Sequence, residues 1–328
     1  MDYNTLGRTG LKVSKLCFGT MTFGKEADEA TSIRMFNKCR DTGINFFDTA
    51  DRYGVGISEK ILGKCIAHCR DKIILSTKVG NPVGDDINDK GLSRRHIIQA
   101  IDNSLKRLGT DYIDLYFLHS YDSTTSIEET LSVLDDLRRQ GKILYIGVSN
   151  WAAWQIALGL GISEIKRFAR FECIQPMYNL VKRQAEIEIL PLAKEKDIGV
   201  ITYSPLGAGL LTGKYTGKDK VTQGRILENK MYVKRYADPN NYAIAENFVK
   251  YAENHGLNPA ALAVAWVMSN PVVTAPIIGA RNLKQLEQTL AALEIEMTPE
   301  IRKEISALSI TPPPATDRSE GADFEKKL

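Results

Sequence analysis

The sequence predicts an α/β protein, a (β/α)8 TIM barrel with an N-terminal β-hairpin before it and extra C-terminal helices after it. Three observations lead there. Eight short apolar runs recur along the chain, each followed by a longer amphipathic segment. Most of those runs are continuously apolar rather than alternating, as parallel strands covered on both faces must be. The length, 328 residues, suits a single barrel, a fold that typically takes about 250 residues and often more. Residues 1–310 read as one domain, and the Pro-rich, polar stretch 311–328 reads as a flexible tail.

Taken in order, residues 3–13 form the hairpin, with Gly7 and Thr9-Gly10 as turn residues. The strands fall at 15–20, 45–50, 73–79, 113–119, 143–150, 173–179, 199–205 and 274–280. Helix signals lie between them. Ser93 precedes the periodic run Ile97, Ile98, Ala100, Ile101, Leu105, which stops at Gly109. Ser126 and Glu129 make a capping box ahead of Leu131, Leu134 and Leu137, and Gly141 ends that helix. Gly43 closes the helix before the second strand, and Asn258-Pro259 opens one that runs to Met268. An open doubly wound sheet would also alternate strands with helices. It would carry Gly-x-Gly-x-x-Gly after its first strand, and Gly19-Thr20-Met21-Thr22-Phe23-Gly24 does not fit.

Charge and composition exclude several classes. Lys plus Arg number 43 against 40 Asp plus Glu, a net +3, so nothing asks for a nucleic-acid partner. No apolar stretch approaches the roughly 18 residues of a membrane span, and Met1-Asp2-Tyr3-Asn4 does not open a secretory signal. The five cysteines (17, 39, 65, 69, 173) are odd in number and scattered. Cys65 and Cys69 are spaced i, i+4 on one expected helix, yet no second pair accompanies them. Free thiols, no metal site and a reducing, cytoplasmic setting are expected.

In a barrel the chemistry sits where strands end, because the following loops surround one cavity. The second strand ends in Asp48 and leads to Tyr53, the third ends in Lys78 and the fourth in His119. Any one of these alone would signal a surface salt bridge or a satisfied core histidine. Together, on three adjacent strands, they converge. A buried Asp48 and Lys78 should pair. The Lys78 charge should stabilise a Tyr53 phenolate and make the phenol a better acid. Neutral His119 could orient an oxygen that gains negative charge. Hydride addition to a carbonyl creates such an oxygen.

The loops after the last two strands offer anion sites. Gly207-Ala208-Gly209 through Gly213-Lys214 narrowly misses the spacing of a nucleotide-triphosphate loop, and Tyr215 stands where Ser or Thr belongs. Backbone amides and Lys214 still suit a diphosphate. Arg281 and the helix that starts after Asn282 make a second anion site. Two phosphate sites suggest a dinucleotide with an additional phosphate. The loops 81–91, 121–126 and 215–239 would set specificity, and Tyr215, Tyr232 and Tyr236 hint at an aromatic pocket wall.

Asp48-Thr-Ala-Asp-Arg-Tyr53-Gly with Ser58-Glu59, Ser-Thr-Lys78, Leu-His119, Gly-Val-Ser149-Asn150, Gln175-Pro-Met-Tyr-Asn179 and Tyr203-Ser-Pro-Leu206 together resemble the aldo-keto reductase superfamily. Within it the chain is similar to the bacterial general reductases and the potassium-channel β subunits. The resemblance spans roughly Gly7 to Ala307. It implies a catalytic tetrad of Asp48, Tyr53, Lys78 and His119, and NADPH (NADP+) as cofactor. It implies that Ser149, Asn150 and Gln175 hold the nicotinamide while Tyr203 stacks on it. Thr20, Met21, Ser204, Pro205, Leu206, Lys214, Arg225, Gly279, Arg281, Gln285 and Gln288 would contact the rest of the cofactor. Thr289 replaces an Asn usual at the adenine, and Arg281 replaces a smaller residue of the channel subunits, which favours a 2′-phosphate. The implied activity is reduction of a small aldehyde or ketone. A cofactor-holding regulatory subunit and a Schiff-base lyase built on Lys78 are the alternatives.

Overall fold

In the computed structural model, which describes residues 1–215 and 224–316, eight parallel strands close into a barrel. They are β3 (Cys17–Gly19), β4 (Phe46–Asp48), β5 (Ile74–Val79), β6 (Ile113–Leu118), β7 (Ile143–Ser149), β8 (Phe171–Gln175), β9 (Gly199–Thr202) and β10 (Ala275–Ile278). Each pairs with the next, and β10 returns to pair with β3. The hairpin β1 (Tyr3–Thr5) and β2 (Lys12–Ser14) precedes them as an antiparallel pair.

Two apolar layers hold the barrel. Inside it, Cys17, Phe46, Leu115, Phe117, Cys173, Ile201 and Ala275 pack with Leu6 and Val13 of the hairpin, which plugs the N-terminal end. Gly7 has φ +49, and a Cβ there would lie 2.6 Å from the Gly199 backbone N, so only glycine fits that approach. Outside the strands a larger core binds the helices, including Phe47, Tyr116, Leu118, Val148 and Ile174.

Those helices begin and end where capping chemistry puts them. α1 (Glu29–Asp41) and α2 (Ile57–Ile66) follow β3 and β4. α3 (Arg94–Leu108) starts at Ser93, whose hydroxyl accepts from the His96 N–H, and ends at left-handed Gly109. α4 (Ile127–Arg139) starts at Ser126, which accepts from the Glu129 N–H. The reciprocal half of that capping box is not made, because the Glu129 carboxylate takes Arg94 at 2.7 Å. α5 (Ala153–Lys166) and α6 (Ile189–Glu195) complete the middle of the chain. After β9 come the short α7 (Arg225–Glu228) and α8 (Lys230–Arg235), then α9 (Pro239–Asn254) and α10 (Pro259–Met268). α11 (Leu283–Leu290) and α12 (Pro299–Ala307) are the C-terminal helices.

The strand ladders are shorter than the apolar runs, ending at Gly19, Asp48, Leu118, Ser149, Gln175, Thr202 and Ile278. The residues beyond form mouth loops, some buried (Thr20, Thr49, Pro176) and some not (Asn150, Gly279). Cys69 is not on a helix with Cys65: α2 stops at Ile66, and the Cys69 N–H turns back to the Ile66 carbonyl at 2.9 Å. All five cysteines are free thiols. Residues 311–316 carry neither helix nor strand, with Pro312 buried, and 317–328 lie outside the described residues.

Candidate active site

Side chains alternate along a strand, so every second barrel residue faces inward. Phe46, Phe117, Cys173 and Ile201 belong to the interior layer. Two positions on, the same face carries Asp48, His119, Gln175 and Tyr203. Ser149 shares their register opposite Gln175, and Lys78 points inward opposite Phe117, its ammonium reaching up to Asp48. One layer of polar groups therefore rests on the apolar plug, at the C-terminal mouth.

Asp48 and Lys78 are buried, at 1% and 0% exposure, and pair at 2.5 Å. The other Asp48 oxygen accepts from Ser76 Oγ at 2.7 Å and Gln175 Nε2 at 3.1 Å. Lys78 Nζ also donates to the Thr49 carbonyl at 2.7 Å and the Tyr53 hydroxyl at 3.3 Å. The Tyr53 and His119 rings meet edge-on at 6.0 Å. His119 Nδ1 is buried without a partner among the described residues. All four expected residues are thus brought together.

Burial and charge set their protonation. Burial, then the Lys78 charge, pushes His119 down to about 3, so it is neutral at any ordinary pH. Burial pulls the Lys78 ammonium down, but the Asp48 charge, the Tyr53 oxygen and the hydrogen bonds to both together outweigh it, and the net shift is upward. A Lys so strongly protonated is a poor nucleophile, which disfavours the Schiff-base alternative. The expected acidification of Tyr53 is corrected: burial raises its phenol by more than Lys78 lowers it. Lys78 limits that rise rather than reversing it.

The residues expected at a nicotinamide are linked to one another. Asn150, at φ +58, donates to the His119 carbonyl at 2.9 Å and to Ser149 Oγ at 3.0 Å. Its carbonyl oxygen accepts from the Tyr203 hydroxyl at 2.7 Å, and Ser149 Oγ donates to the Gln175 carbonyl at 2.9 Å. Burial pushes the Tyr203 phenol up to about 12. Ser204, Gly207, Ala208 and Gly209 all have positive φ, and the Ser204 carbonyl accepts from Asn179 Nδ2 at 2.9 Å. Pro205 is buried and Leu206 half-buried next to them.

Toward the rim, the Lys214 ammonium lies 4.6 Å over the Tyr215 ring. Arg225 and Arg281 converge on one carboxylate that sequence reasoning missed, Glu26, at 3.2 and 3.8 Å. The Arg281 N–H donates to Gln285 Oε1 at 3.0 Å, with exposed Gly279 two residues before it and Gln288 half-buried on α11. Thr20 is fully buried, its hydroxyl within 2.8 Å of Ser58 Oγ, while Met21 is half-exposed. The Thr289 hydroxyl turns back to the Leu286 carbonyl at 2.9 Å. Of the expected aromatic wall, Tyr215, Tyr232 and Tyr236 are all buried, and the Tyr232 phenol stands close enough to act on both Tyr53 and Tyr203. Tyr121 and Trp151, on the loops after β6 and β7, meet edge-on 5.1 Å apart, with Trp154 beyond. Among the described residues no cluster of three or more His, Cys, Asp or Glu could hold a metal ion. No helix among them is long and apolar enough to cross a membrane.

Set beside known proteins, the chain matches the model of the Aldo/keto reductase family over residues 15–310. It belongs to the aldo/keto reductase family. It is 40% identical to the "Uncharacterized oxidoreductase YrpG" of Bacillus subtilis, over 92% of this chain and 94% of that one. It is 35% identical to a "Probable voltage-gated potassium channel subunit beta" of Oryza sativa, over 97% and 99% of the two chains. Against the "Versiconal hemiacetal acetate reductase" of Aspergillus parasiticus the identity is 31%, over 92% and 94%. For this aldo/keto reductase, family and relatives support a general oxidoreductase role.

Proposed function

We propose that this protein reduces aldehydes or ketones to alcohols with NADPH, Tyr53 donating the proton. The observation that carries the reading is the Lys78 ammonium, paired with Asp48 at 2.5 Å and standing 3.3 Å from the Tyr53 hydroxyl. The residues fit a phosphorylated dinucleotide. Lys214, Arg225 and Arg281 gather positive charge on two mouth loops, and the segment 204–209, with positive φ at Ser204, Gly207, Ala208 and Gly209, offers a concave backbone. Ser149, Asn150, Gln175 and Tyr203 would hold the nicotinamide end, and bound NADPH would supply the hydride.

The chain's own groups do the rest. The His119 imidazole, neutral above about pH 3, donates a hydrogen bond to the carbonyl oxygen and orients it. Tyr53 gives that oxygen its proton, and the Lys78 charge stabilises the phenolate left behind. Asp48, held by Ser76 and Gln175, fixes Lys78 in place. The similarity to the Oryza sativa channel subunit supports a second reading, a cofactor-holding regulatory subunit, which would use the same residues with slow turnover.

Loss of NADPH absorbance against a panel of aldehydes, ketones and quinones tests the proposal. Tyr53→Phe should lower the best rate by at least about 10²-fold while leaving folding and cofactor binding intact. A Phe variant with wild-type turnover would overturn the assignment, and NADPH binding with no turnover on any carbonyl would favour the regulatory reading.

A further inference from the structure

Behind the strand wall that carries Lys78 lies a second group of ionisable side chains, none of which the proposed chemistry uses. Strand alternation sends Thr77 and Tyr116 outward, where both are fully buried. Glu59 of α2, also fully buried, accepts from Thr77 Oγ1 and from Arg107 Nε of α3, each at 2.6 Å. Asp51 enters this layer from the loop that bears Tyr53. It is 2% exposed, and neither carboxyl oxygen has a side-chain partner among the described residues, with only the neighbouring Arg52 N–H directed at it from the backbone. The Tyr116 hydroxyl is also buried without a partner among them.

The groups facing Asp51 are Glu59 from α2, Arg107 from α3 and Lys78 from β5. Tyr116 of β6 shares its surroundings, with Asp102 of α3 also acting on that phenol. Two carboxyls therefore compete for one guanidinium, and Glu59 holds it. An unpaired carboxylate in a dry layer is costly, whereas the neutral acid is tolerated. Burial, then the Glu59 charge, pushes Asp51 up to about 8. The intervening loop depends on this layer. Gly54, Val55 and Gly56 all have positive φ, and a Cβ on Gly56 would lie 2.5 Å from Arg107 Cδ. At one end of that loop the Asp51 N–H donates to the Lys78 carbonyl at 3.3 Å, and at the other Glu59 pairs with Arg107.

Building on Tyr53 as proton donor, we propose that Asp51 is a positioning residue: its neutral acid form seats the Tyr53 loop, and its ionisation unseats the loop and sets the alkaline limit of reduction. The reacting groups do not account for such a limit. His119 titrates near 3, and Tyr53 and Lys78 both titrate above their ordinary values.

The test is kcat for 4-nitrobenzaldehyde with saturating NADPH across alkaline pH. Wild-type kcat should fall above about pH 8. Asp51→Asn, neutral at every pH, should lose that fall. Glu59→Gln removes the like charge and frees Arg107 to attract Asp51, so its fall should begin at lower pH. An unchanged alkaline limb in Asp51→Asn overturns the proposal, as does a limb in Glu59→Gln that stays put or moves up. Should Asp51→Asn fail to fold, infrared spectra of the wild type decide: a protonated-carboxyl carbonyl band must be present at pH 6.5 and disappear through about pH 8. Tyr53→Phe run alongside separates the two readings. If it is inactive while Asp51→Asn keeps the limb, only the role of Asp51 falls.

Discussion

Lys78 meets two demands at once, since it neutralises a buried carboxylate and faces the Tyr53 phenol, the proposed proton donor. Lys78→Met keeps the stem and removes the charge. Losing one partner of a buried pair costs about 3–5 kcal/mol, so reduction should vanish and the melting temperature should drop. A stable Met variant with an unchanged pH profile would uncouple the two residues. Arg281 makes the corresponding test of cofactor choice. A guanidinium–phosphate contact is worth about 1.5–3 kcal/mol, or roughly 10- to 150-fold in affinity. Part of that is offset by giving up Glu26 at 3.8 Å. Fluorescence titration should therefore show NADPH binding tighter than NADH near the lower figure, with Arg281→Ala erasing the gap. Equal affinities in the wild type would place the phosphate elsewhere. Asp51 bears on folding as well. Its folded-state value near 8 lies above the ordinary carboxylate value of 3.8, so its stabilising effect is complete below 3.8 and is lost as pH rises through 8. The melting-temperature advantage of Asp51→Asn over wild type should grow across that window and then level off. The four tetrad positions were legible because strand ends announce themselves. Glu26 was not, being one of 40 acidic residues and 199 positions from Arg225.

Among the elements, capping residues were the most legible, because a Ser hydroxyl or a left-handed Gly acts within one turn of its own position. Strand ends were the least legible. Apolar runs report burial rather than ladder pairing, and Pro176, Tyr178, Asn179 and Pro205 stay buried after the ladder stops. The Tyr215, Tyr232 and Tyr236 reading was coarse for a related reason, since ring content cannot say which of the three stands near Tyr53, as Tyr232 does. The hairpin was legible from its turns, but its role as a plug depends on contacts with strands far along the chain. Leu6 is fully buried in that plug. Leu6→Ala should cost about 2–5 kcal/mol of stability while leaving the Kd for NADPH unchanged, because the plug lies at the opposite end of the barrel. A large change in that Kd would show that the interior transmits strain to the mouth.

For the whole molecule, the alternation of strand and helix was enough to specify the barrel, and the return of β10 to β3 completes it. Thr22 Oγ1 donates to the Ala280 carbonyl at 2.7 Å across 258 positions, joining the loop after the first barrel strand to the loop after the last. A chain ended after Pro271 would lack β10 and Arg281, so it should show neither a cooperative melt nor quenching by NADPH. Cooperative unfolding of that fragment would mean that seven strands suffice. The same closure fixes when the pocket comes into being. A ribosome adding about 5–20 residues per second needs roughly 13–50 s to go from Thr22 to Ala280. Throughout that interval β3 has an unpaired edge, and the proposed cofactor site lacks Arg281. A soluble ligand cannot guide the early steps of folding here. It can only reward a chain that is already finished.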